Sequence, residues 1–130
     1  MEFTIKTHKR TEMIEITKEV KAIVDRASDE DSKAVLVYSP HTTCGIIIQE
    51  NADPNIEGDI LDHLKNLVPE GIWKHDSVDG NGDSHIKSVL VGPEKTIPIQ
   101  NGLMLLGKWQ AIFLAEFDGP RERTVIVRVI

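Results

Sequence analysis

Three short polar segments carry most of the side chains that could do chemistry. They are residues 41–43 (His-Thr-Thr), 50–54 (Glu-Asn-Ala-Asp-Pro) and 81–85 (Asn-Gly-Asp-Ser-His). They supply imidazoles, carboxylates, hydroxyls and amides, which are the groups that bind metal ions or move protons. Each segment borders an apolar run typical of a strand, where a loop can direct side chains into a shared pocket. The sequence therefore predicts a functional site assembled from distant parts of the chain.

His41, His75 and His85 are the histidines that fall on loops or at strand edges. Neutral imidazole is a common ligand of zinc-like ions, and three imidazoles with one open position would form a catalytic metal site. No two of them have a local ligand spacing such as HExxH. Two interpretations therefore stay open, a shared metal site and three unrelated polar histidines.

Local structure already explains some of the other polar residues and leaves others without a structural role. Asp53 before Pro54 is a preferred N-cap, which is a complete structural role, whereas Glu50 has no such explanation. Asp83 lies in an ordinary turn sequence. Arg121 follows a tight turn and is the guanidinium best placed to meet a phosphate or carboxylate.

The apolar run from residue 109 to 117 predicts a strand whose two faces can be separated by parity. One face carries Gln110 and Glu116 at its two ends, with apolar residues between them. Two interpretations stay open: each of these polar side chains reaches a pocket, at opposite ends of the strand, or both lie at the rim of a half-exposed sheet. The other face, which begins at Trp109 and ends at Phe117, is predicted to be the core face. Cys44, between Thr43 and Gly45, is interpreted as a small buried packing residue.

Composition restricts the class of protein. The 130 residues suffice for one domain with one core, and 28% charged and 40% hydrophobic residues are typical of a soluble globular protein. The net charge of −6 argues against nucleic-acid binding, which needs a basic surface. We expect no membrane partner, because no apolar run is long enough to span a bilayer and the first residues lack the pattern of a signal segment. The single cysteine fits a reducing compartment. We expect a cytoplasmic protein.

Residue patterns predict an α+β fold with many strands and two main helices. A first helix capped by Thr17 runs to about residue 27, and a second begins after Asp53 and ends before Pro69. Asn101-Gly102 marks a tight hairpin. Residues 70–84 are predicted to form an irregular functional loop. Strands are predicted at residues 2–7, 12–16, 34–38, 42–49, 85–91, 96–100, 103–106, 109–117 and 123–130.

Three motifs together resemble those of the YjbQ-like family, also described as the secondary thiamine-phosphate synthase family. They are His-Thr-Thr-Cys-Gly-Ile-Ile-Ile-Gln-Glu-Asn-Ala-Asp-Pro at 41–54, Asn-Gly-Asp-Ser-His-Ile-Lys at 81–87, and Leu-Gly-Lys-Trp-Gln-Ala-Ile-Phe-Leu-Ala-Glu-Phe-Asp-Gly-Pro-Arg at 106–121. The resemblance covers essentially the whole chain. The commonest family form has Ala where this chain has Cys44, which supports a packing role for the cysteine.

The resemblance implies a single domain, residues 1–130, with a two-sheet β-sandwich core, assembled as a homotrimer. It also implies a pocket for a small phosphorylated molecule and a divalent metal ion, zinc-like or magnesium. The implied metal ligands are His41, His75 and His85. The implied catalytic residues are Glu50, Asp53, Asp83, Gln110 and Glu116. The implied substrate-binding residues are Thr42, Thr43 and Arg121.

The activity implied by the resemblance is a weak thiamine-phosphate synthase, a transferase. In that reaction a pyrimidine pyrophosphate loses pyrophosphate as a thiazole nitrogen attacks its methylene carbon, and the leaving group needs charge stabilisation from a metal ion or arginine. The chain lacks a glycine-rich phosphate loop and an Asp-rich magnesium motif. Two alternatives therefore stay open, a metal-dependent hydrolase and a non-catalytic protein that binds a metabolite or a metal.

Overall fold

Alternating apolar residues build eight strands that pair into two antiparallel sheets in a computed structural model that describes residues 1–130. The larger sheet has the order β1-β8-β3-β5-β6 and the smaller one β2-β7-β4. The strands are β1 (Glu2–Lys6), β2 (Glu12–Glu15), β3 (Ala34–Tyr38), β4 (Cys44–Glu50), β5 (Glu94–Gln100), β6 (Leu103–Met104), β7 (Gln110–Glu116) and β8 (Glu122–Val129). The helices are α1 (Thr17–Ala27), α2 (Pro54–Leu67) and α3 (Gly82–Val91), with a 3-10 helix at Lys74–Ser77.

Both sheets contribute to one hydrophobic core. Val35 and Val127 of the large sheet, Ile46 and Ile112 of the small sheet, and Val20 of α1 belong to the same buried cluster. A smaller cluster on the other face of the small sheet packs against α2. The predicted α+β fold with two sheets around a core is confirmed, and the number of helices is three. No helix has the length and apolar character needed to cross a membrane.

The local signals at helix and hairpin ends have mixed outcomes. Asp53 is the N-cap of α2, as predicted, and its side chain accepts a hydrogen bond from the Asn55 amide at 2.9 Å. Asn101 adopts a positive φ of 53° in the turn between β5 and β6, as a tight hairpin requires. The predicted cap at Thr17 is wrong, because Thr17 is the first helical residue and its hydroxyl instead accepts from the Ile112 amide.

The predicted strand at residues 85–91 is wrong, because this segment belongs to helix α3. The helix buries its polar side: Asp83, Ser84, Lys87 and Ser88 are buried, whereas Val89 is 81% exposed. These four residues form two pairs at i,i+4 spacing, which share one face of a helix. The burial pattern is opposite to that of an ordinary amphipathic helix, so apolar residues alone could not predict it.

Parity along β7 correctly assigns its residues to two faces, but the larger core lies on the face opposite to the one predicted. Ile112 and Leu114, on the face predicted to be polar at both ends, belong to the large core. Ala111 and Phe113, on the face predicted to be the core, belong to the smaller cluster beneath α2. The prediction that Trp109 packs in the core is wrong, because its ring is 58% exposed.

Candidate functional site

A polar cleft of about 350 Å³ opens where β3, β4 and β8 meet the start of α3. Five of the predicted site residues line it, namely His41, Thr42, Thr43, His85 and Arg121. Its remaining lining residues are Pro40, Asp79, Asn81, Asp118 and Arg123. No large apolar side chain is among these ten residues, so the cleft suits a ligand that forms hydrogen bonds.

Glu116 and Arg123 form a buried ion pair at the base of this cleft. Glu116 is fully buried and Arg123 is 4% exposed. Arg123 Nε donates to both oxygens of Glu116, at 2.9 and 3.1 Å, and its Nη2 donates to Glu116 and to Thr43 Oγ1. Glu116 also accepts from the Thr7 hydroxyl at 2.8 Å. This pairing holds the guanidinium rigidly and leaves Nη1 without a hydrogen bond within the chain.

Arg121 and Asn81 are both held by Asp118 at the rim of the cleft. Arg121 Nη2 donates to Asp118 Oδ2 at 2.9 Å, and its Nε donates to the Asp118 carbonyl at 2.8 Å. Asn81 Nδ2 donates to the same carboxylate at 2.8 Å. The Asn81 Oδ1 atom is the one buried side-chain oxygen or nitrogen without a partner. Arg121 is exposed, so its remaining Nη1 is free to meet a ligand.

His41 lies between β3 and β4, and its side chain reaches across to β8. The Thr124 amide donates to His41 Nε2 at 2.9 Å. Burial, and then the nearby charge of Arg123, lowers the pKa of His41 below its ordinary value. The ring is therefore neutral at neutral pH, and it lines both the polar cleft and an adjoining pocket.

Asp83 is turned away from the cleft into a salt-bridge cluster. Its two oxygens accept from Arg10 at 3.0 and 3.1 Å, and Lys87 Nζ lies 3.0 Å from Oδ2. The adjacent Ser84 donates to the Phe117 carbonyl. Burial would raise the pKa of Asp83, but the hydrogen bonds from Arg10 and Lys87 outweigh it and lower the pKa. These contacts anchor the start of α3 beside the cleft.

The three predicted metal ligands are not gathered into one ligand set. The rings of His75 and His85 meet edge to face with centroids 4.6 Å apart, and His75 lies 3.6 Å from Asp79. His41 shares the cleft with His85 but not with His75. No group of three or more His, Cys, Asp or Glu side chains is arranged to hold a metal ion. The divalent ion stays a prediction that this chain alone does not support.

Glu50, Gln110 and Asp53 lie at the far end of the small sheet. Cys44 pairs with Glu116 at the cleft end of β4 and β7, and Glu50 pairs with Gln110 six residues along. At about 3.4 Å per residue, the separation is about 20 Å. Gln110 accepts from the Gly107 amide, and Asp53 caps α2. The structure does not bring these three residues to the polar cleft of the same chain.

Cys44 is buried beside the cleft without facing it. Its sulfur lies 2.9 Å from the Ser39 hydroxyl, and burial raises the pKa of the thiol above its ordinary value. A protonated, buried thiol is a packing group rather than a nucleophile. The predicted packing role is confirmed.

Over residues 1–130 the chain matches the family model described as UPF0047 protein YjbQ-like. The chain belongs to this family. A UPF0047 protein of Methanocaldococcus jannaschii is 48% identical over 128 residues, which are 98% of this chain and 91% of that protein. The UPF0047 protein YugU of Bacillus subtilis is 43% identical over 129 residues, 97% of this chain and 95% of YugU. The resemblance found in the three sequence motifs is thus confirmed.

Solved structures of YjbQ-like proteins have the same fold. A Clostridium acetobutylicum member superposes with a TM-score of 0.94 at 44% identity, covering 100% of this chain and 99% of that one. A Sulfolobus solfataricus member, described as a YbjQ-like protein of unknown function, gives 0.95 at 31% identity, covering 99% and 94% of the two chains. The chain therefore shares both the family and the fold of these proteins.

Sequence reasoning missed three charged residues of the cleft, namely Asp79, Asp118 and Arg123, and it placed Asn81 in a chemistry-bearing segment without giving it a role. Strand parity contained the signal for Arg123. On β8, Arg123 lies on the same face as Val125 and Val127, which are fully buried. A charged residue on a core face needs a buried partner, and Glu116 on the core face of β7 is the matching one. Asp79 carried no such signal, because it lies in a turn whose path depends on tertiary contacts.

Proposed function

We propose that this YjbQ-like protein binds a small phosphorylated molecule in the polar cleft. The observation that carries the proposal is the position of Arg123, which is buried against Glu116 but lines the cleft with Nη1 unpaired. Arg121 adds a second guanidinium at the rim. Guanidinium groups bind phosphate oxygens with directed, charge-assisted hydrogen bonds. Because Glu116 and Asp118 each hold one of them, the ligand meets donors fixed in direction rather than a strong positive field.

The dimensions of the cleft fit a small metabolite. Ligand pockets commonly enclose about 300–1,000 Å³. A second pocket of about 390 Å³ adjoins the polar cleft, and the two share His41, Thr42 and His85 in their walls. A phosphate in the polar cleft would leave the adjoining pocket for the rest of the molecule. Two connected pockets favour a phosphorylated organic molecule over a bare inorganic ion.

The reaction proposed for this site is thiamine-phosphate synthesis. The bond between the pyrimidine methylene carbon and the pyrophosphate oxygen breaks, and its electron pair leaves with the pyrophosphate. The thiazole nitrogen supplies the electron pair of the new carbon–nitrogen bond. Arg121 and Arg123 would stabilise the charge that develops on the leaving pyrophosphate, which is the main catalytic requirement of such a step. No protein nucleophile is needed.

The main alternative is a protein that binds the same ligand without transforming it. The small number of unpaired donors in the cleft favours this reading, because efficient pyrophosphate departure normally uses a divalent ion or a larger cluster of cations. A metal-dependent hydrolase is the third alternative and requires the predicted ion. Measuring pyrophosphate release with the pyrimidine pyrophosphate and thiazole phosphate together, each alone, and with and without added Mg²⁺ or Zn²⁺, separates the three functions.

Titration calorimetry with inorganic phosphate and pyrophosphate tests the binding site. Replacing Arg121 with Gln should weaken pyrophosphate binding about tenfold or more, because one charge-assisted hydrogen bond is worth about 1.5–3 kcal/mol. Arg128→Gln is the matched control, because Arg128 is an exposed arginine on the same strand-and-turn segment and lies outside the cleft. Equal affinities for the wild type and Arg121→Gln would contradict the proposed site.

A homotrimer in the cytoplasm completes the proposal. Leu103, Leu105 and Trp109 are each more than half exposed on one chain. Exposed apolar groups this close in sequence are typical of a surface that another subunit covers. The reducing cytoplasm is supported by the single cysteine, which is buried and free.

A further inference from the structure

His41 takes the place of a missing strand partner. β3 ends at Tyr38, which lies opposite Ile126 of β8. Two residues along β8, the Thr124 amide is beyond the end of β3 and has no β3 carbonyl to meet. The imidazole Nε2 of His41 accepts from this amide at 2.9 Å instead. A partly buried backbone N–H needs an acceptor, so this contact completes the hydrogen bonding of β8 beyond the end of β3.

This hydrogen bond determines which ring nitrogen carries the proton. An N–H group can donate to Nε2 only when Nε2 has a free lone pair. In a neutral imidazole the proton must then be on Nδ1, which becomes a donor. The same contact excludes a protonated ring, because both nitrogens of an imidazolium carry hydrogen and neither can accept. The geometry thus specifies the tautomer with the proton on Nδ1.

The Nδ1 atom of His41 is available to a ligand. It makes no hydrogen bond within the chain, and it is not among the buried polar atoms without partners, since Asn81 Oδ1 is the one such atom. His41 lines the polar cleft together with Arg123, whose Nη1 is also without a hydrogen bond. Two unpaired N–H donors in the wall of one cleft can serve the same group of anionic oxygens.

We propose that His41 binds the phosphate group as a hydrogen-bond donor through Nδ1–H, and that the Thr124 amide fixes it in this role. The inference rests on the proposed function, because it assigns a binding residue to the same cleft. It also reverses the role implied by the family resemblance. A metal ion needs the lone pair of a ring nitrogen, and the one lone pair on this ring already accepts from Thr124.

The tautomer can be measured directly on the wild-type protein. In two-bond 1H–15N spectra of the imidazoles, assigned by the loss of one set of signals in His41→Asn, Nδ1 of His41 should be protonated and Nε2 unprotonated. Adding inorganic phosphate or pyrophosphate should shift the Nδ1 signal, and it should leave the exposed His8 unchanged. Protonation on Nε2, or a rapid mixture of both forms, would overturn the inference.

Two substitutions separate the acceptor and donor roles of the ring. The amide oxygen of His41→Gln can occupy the Nε2 position, so the Thr124 amide should stay protected from hydrogen exchange while pyrophosphate binding weakens about tenfold. The amide nitrogen of His41→Asn can occupy the Nδ1 position, so binding should fall less while Thr124 exchanges faster. Wild-type affinity in His41→Gln would overturn the donor role.

Failure of this inference can be told from failure of the proposed function. If pyrophosphate perturbs the Arg121 side-chain signals but not those of His41 Nδ1, the cleft binds phosphate and the donor role alone is wrong. If neither group responds, the proposed function is contradicted and the donor role falls with it. If one of the two His41 variants does not fold, the other still assigns the His41 signals, and the wild-type spectra then decide the tautomer and the phosphate contact.

Discussion

At neutral pH the carboxylate of Asp83 is held by Arg10 and Lys87, although the family resemblance implies a catalytic role for this residue. Asp83 is 1% exposed, so its charge is tolerated only because both partners are present. Burial raises its pKa, but the hydrogen bonds from Arg10 and Lys87 lower the pKa by more. Its position in the structure gives Asp83 the role of anchoring α3.

Asp83 should therefore make stability depend on acid. Because its pKa is lower in the folded chain than in the unfolded one, its contribution is complete above the unfolded value of about 3.9 and is lost as pH falls through the lower folded value. Asp83→Asn should cost about 3 kcal/mol at pH 7, since it leaves Lys87 buried and unpaired. The variant should also lose this part of the acid dependence, measured by urea unfolding from pH 7 to pH 3.

An exposed pair provides the control for this measurement. Asp25 pairs with Lys21 at 2.7 Å on the surface of α1, with side chains 49% and 59% exposed. Asp25→Asn should change stability by less than about 1 kcal/mol. If Asp83→Asn unfolds at the same urea concentration as Asp25→Asn, Asp83 has no anchoring role.

At the scale of single elements, α3 packs against β4 through glycine and polar contacts. Ser88 donates to the Cys44 carbonyl at 2.7 Å. A Cβ atom at Gly45 would lie 2.7 Å from Val91 Cγ1 and 2.8 Å from the Gly92 carbonyl oxygen. The close approach of helix and strand thus requires a residue without a side chain at Gly45. This contact between α3 and β4 positions His85 in the wall of the polar cleft.

Gly45→Ala should destabilise the protein by about 1–3 kcal/mol, because the added methyl group overpacks a rigid contact that includes backbone. Gly58, in the middle of α2, offers the matched control, because a Cβ atom there would meet nothing within 4 Å. Gly58→Ala should stabilise the protein by about 0.5–1 kcal/mol through helix propensity. Thermal unfolding of both variants should give shifts of opposite sign, and two shifts of the same sign would contradict this account of the α3–β4 contact.

The elements that sequence patterns predicted well are those with local chemistry. Asp53-Pro54 and Asn101-Gly102 act on the backbone within a few residues, so α2 and the hairpin could be placed from the sequence. Helix α3 could not, because its buried face is polar and depends on Arg10 and on the carbonyls of Cys44 and Phe117. The residues of the cleft were likewise predicted where they lie in local motifs and missed where they depend on distant contacts. His41, Thr42, Thr43, His85 and Arg121 lie in recognisable motifs, whereas Arg123 is defined by its distant partner Glu116.

At the scale of the whole molecule, one chain leaves apolar surface uncovered. Trp109 is 58% exposed, Leu103 60% and Val89 81%. The far end of the small sheet also carries the polar pair Glu50 and Gln110, away from the polar cleft. In the proposed homotrimer, other copies of the chain cover these surfaces.

We predict a homotrimer in solution. Light scattering coupled to gel filtration should give three times the chain mass at micromolar concentration, because burial of large apolar side chains stabilises association. Trp109→Ala should lower that mass, since it removes the largest exposed apolar group. Lys65→Ala, a change to an exposed charged residue of α2, is the comparison that should leave the assembly intact. A monomeric mass for the wild type would end the trimer proposal.

The Glu116–Arg123 pair joins a strand of the small sheet to a strand of the large one. The floor of the cleft therefore cannot open while the two sheets stay packed, and the cleft has no hinge of its own beneath it. Warming should not loosen ligand binding ahead of the fold. The temperature at which ligand affinity is lost should coincide with the midpoint of global unfolding, because the binding site is built from the packed sheets themselves.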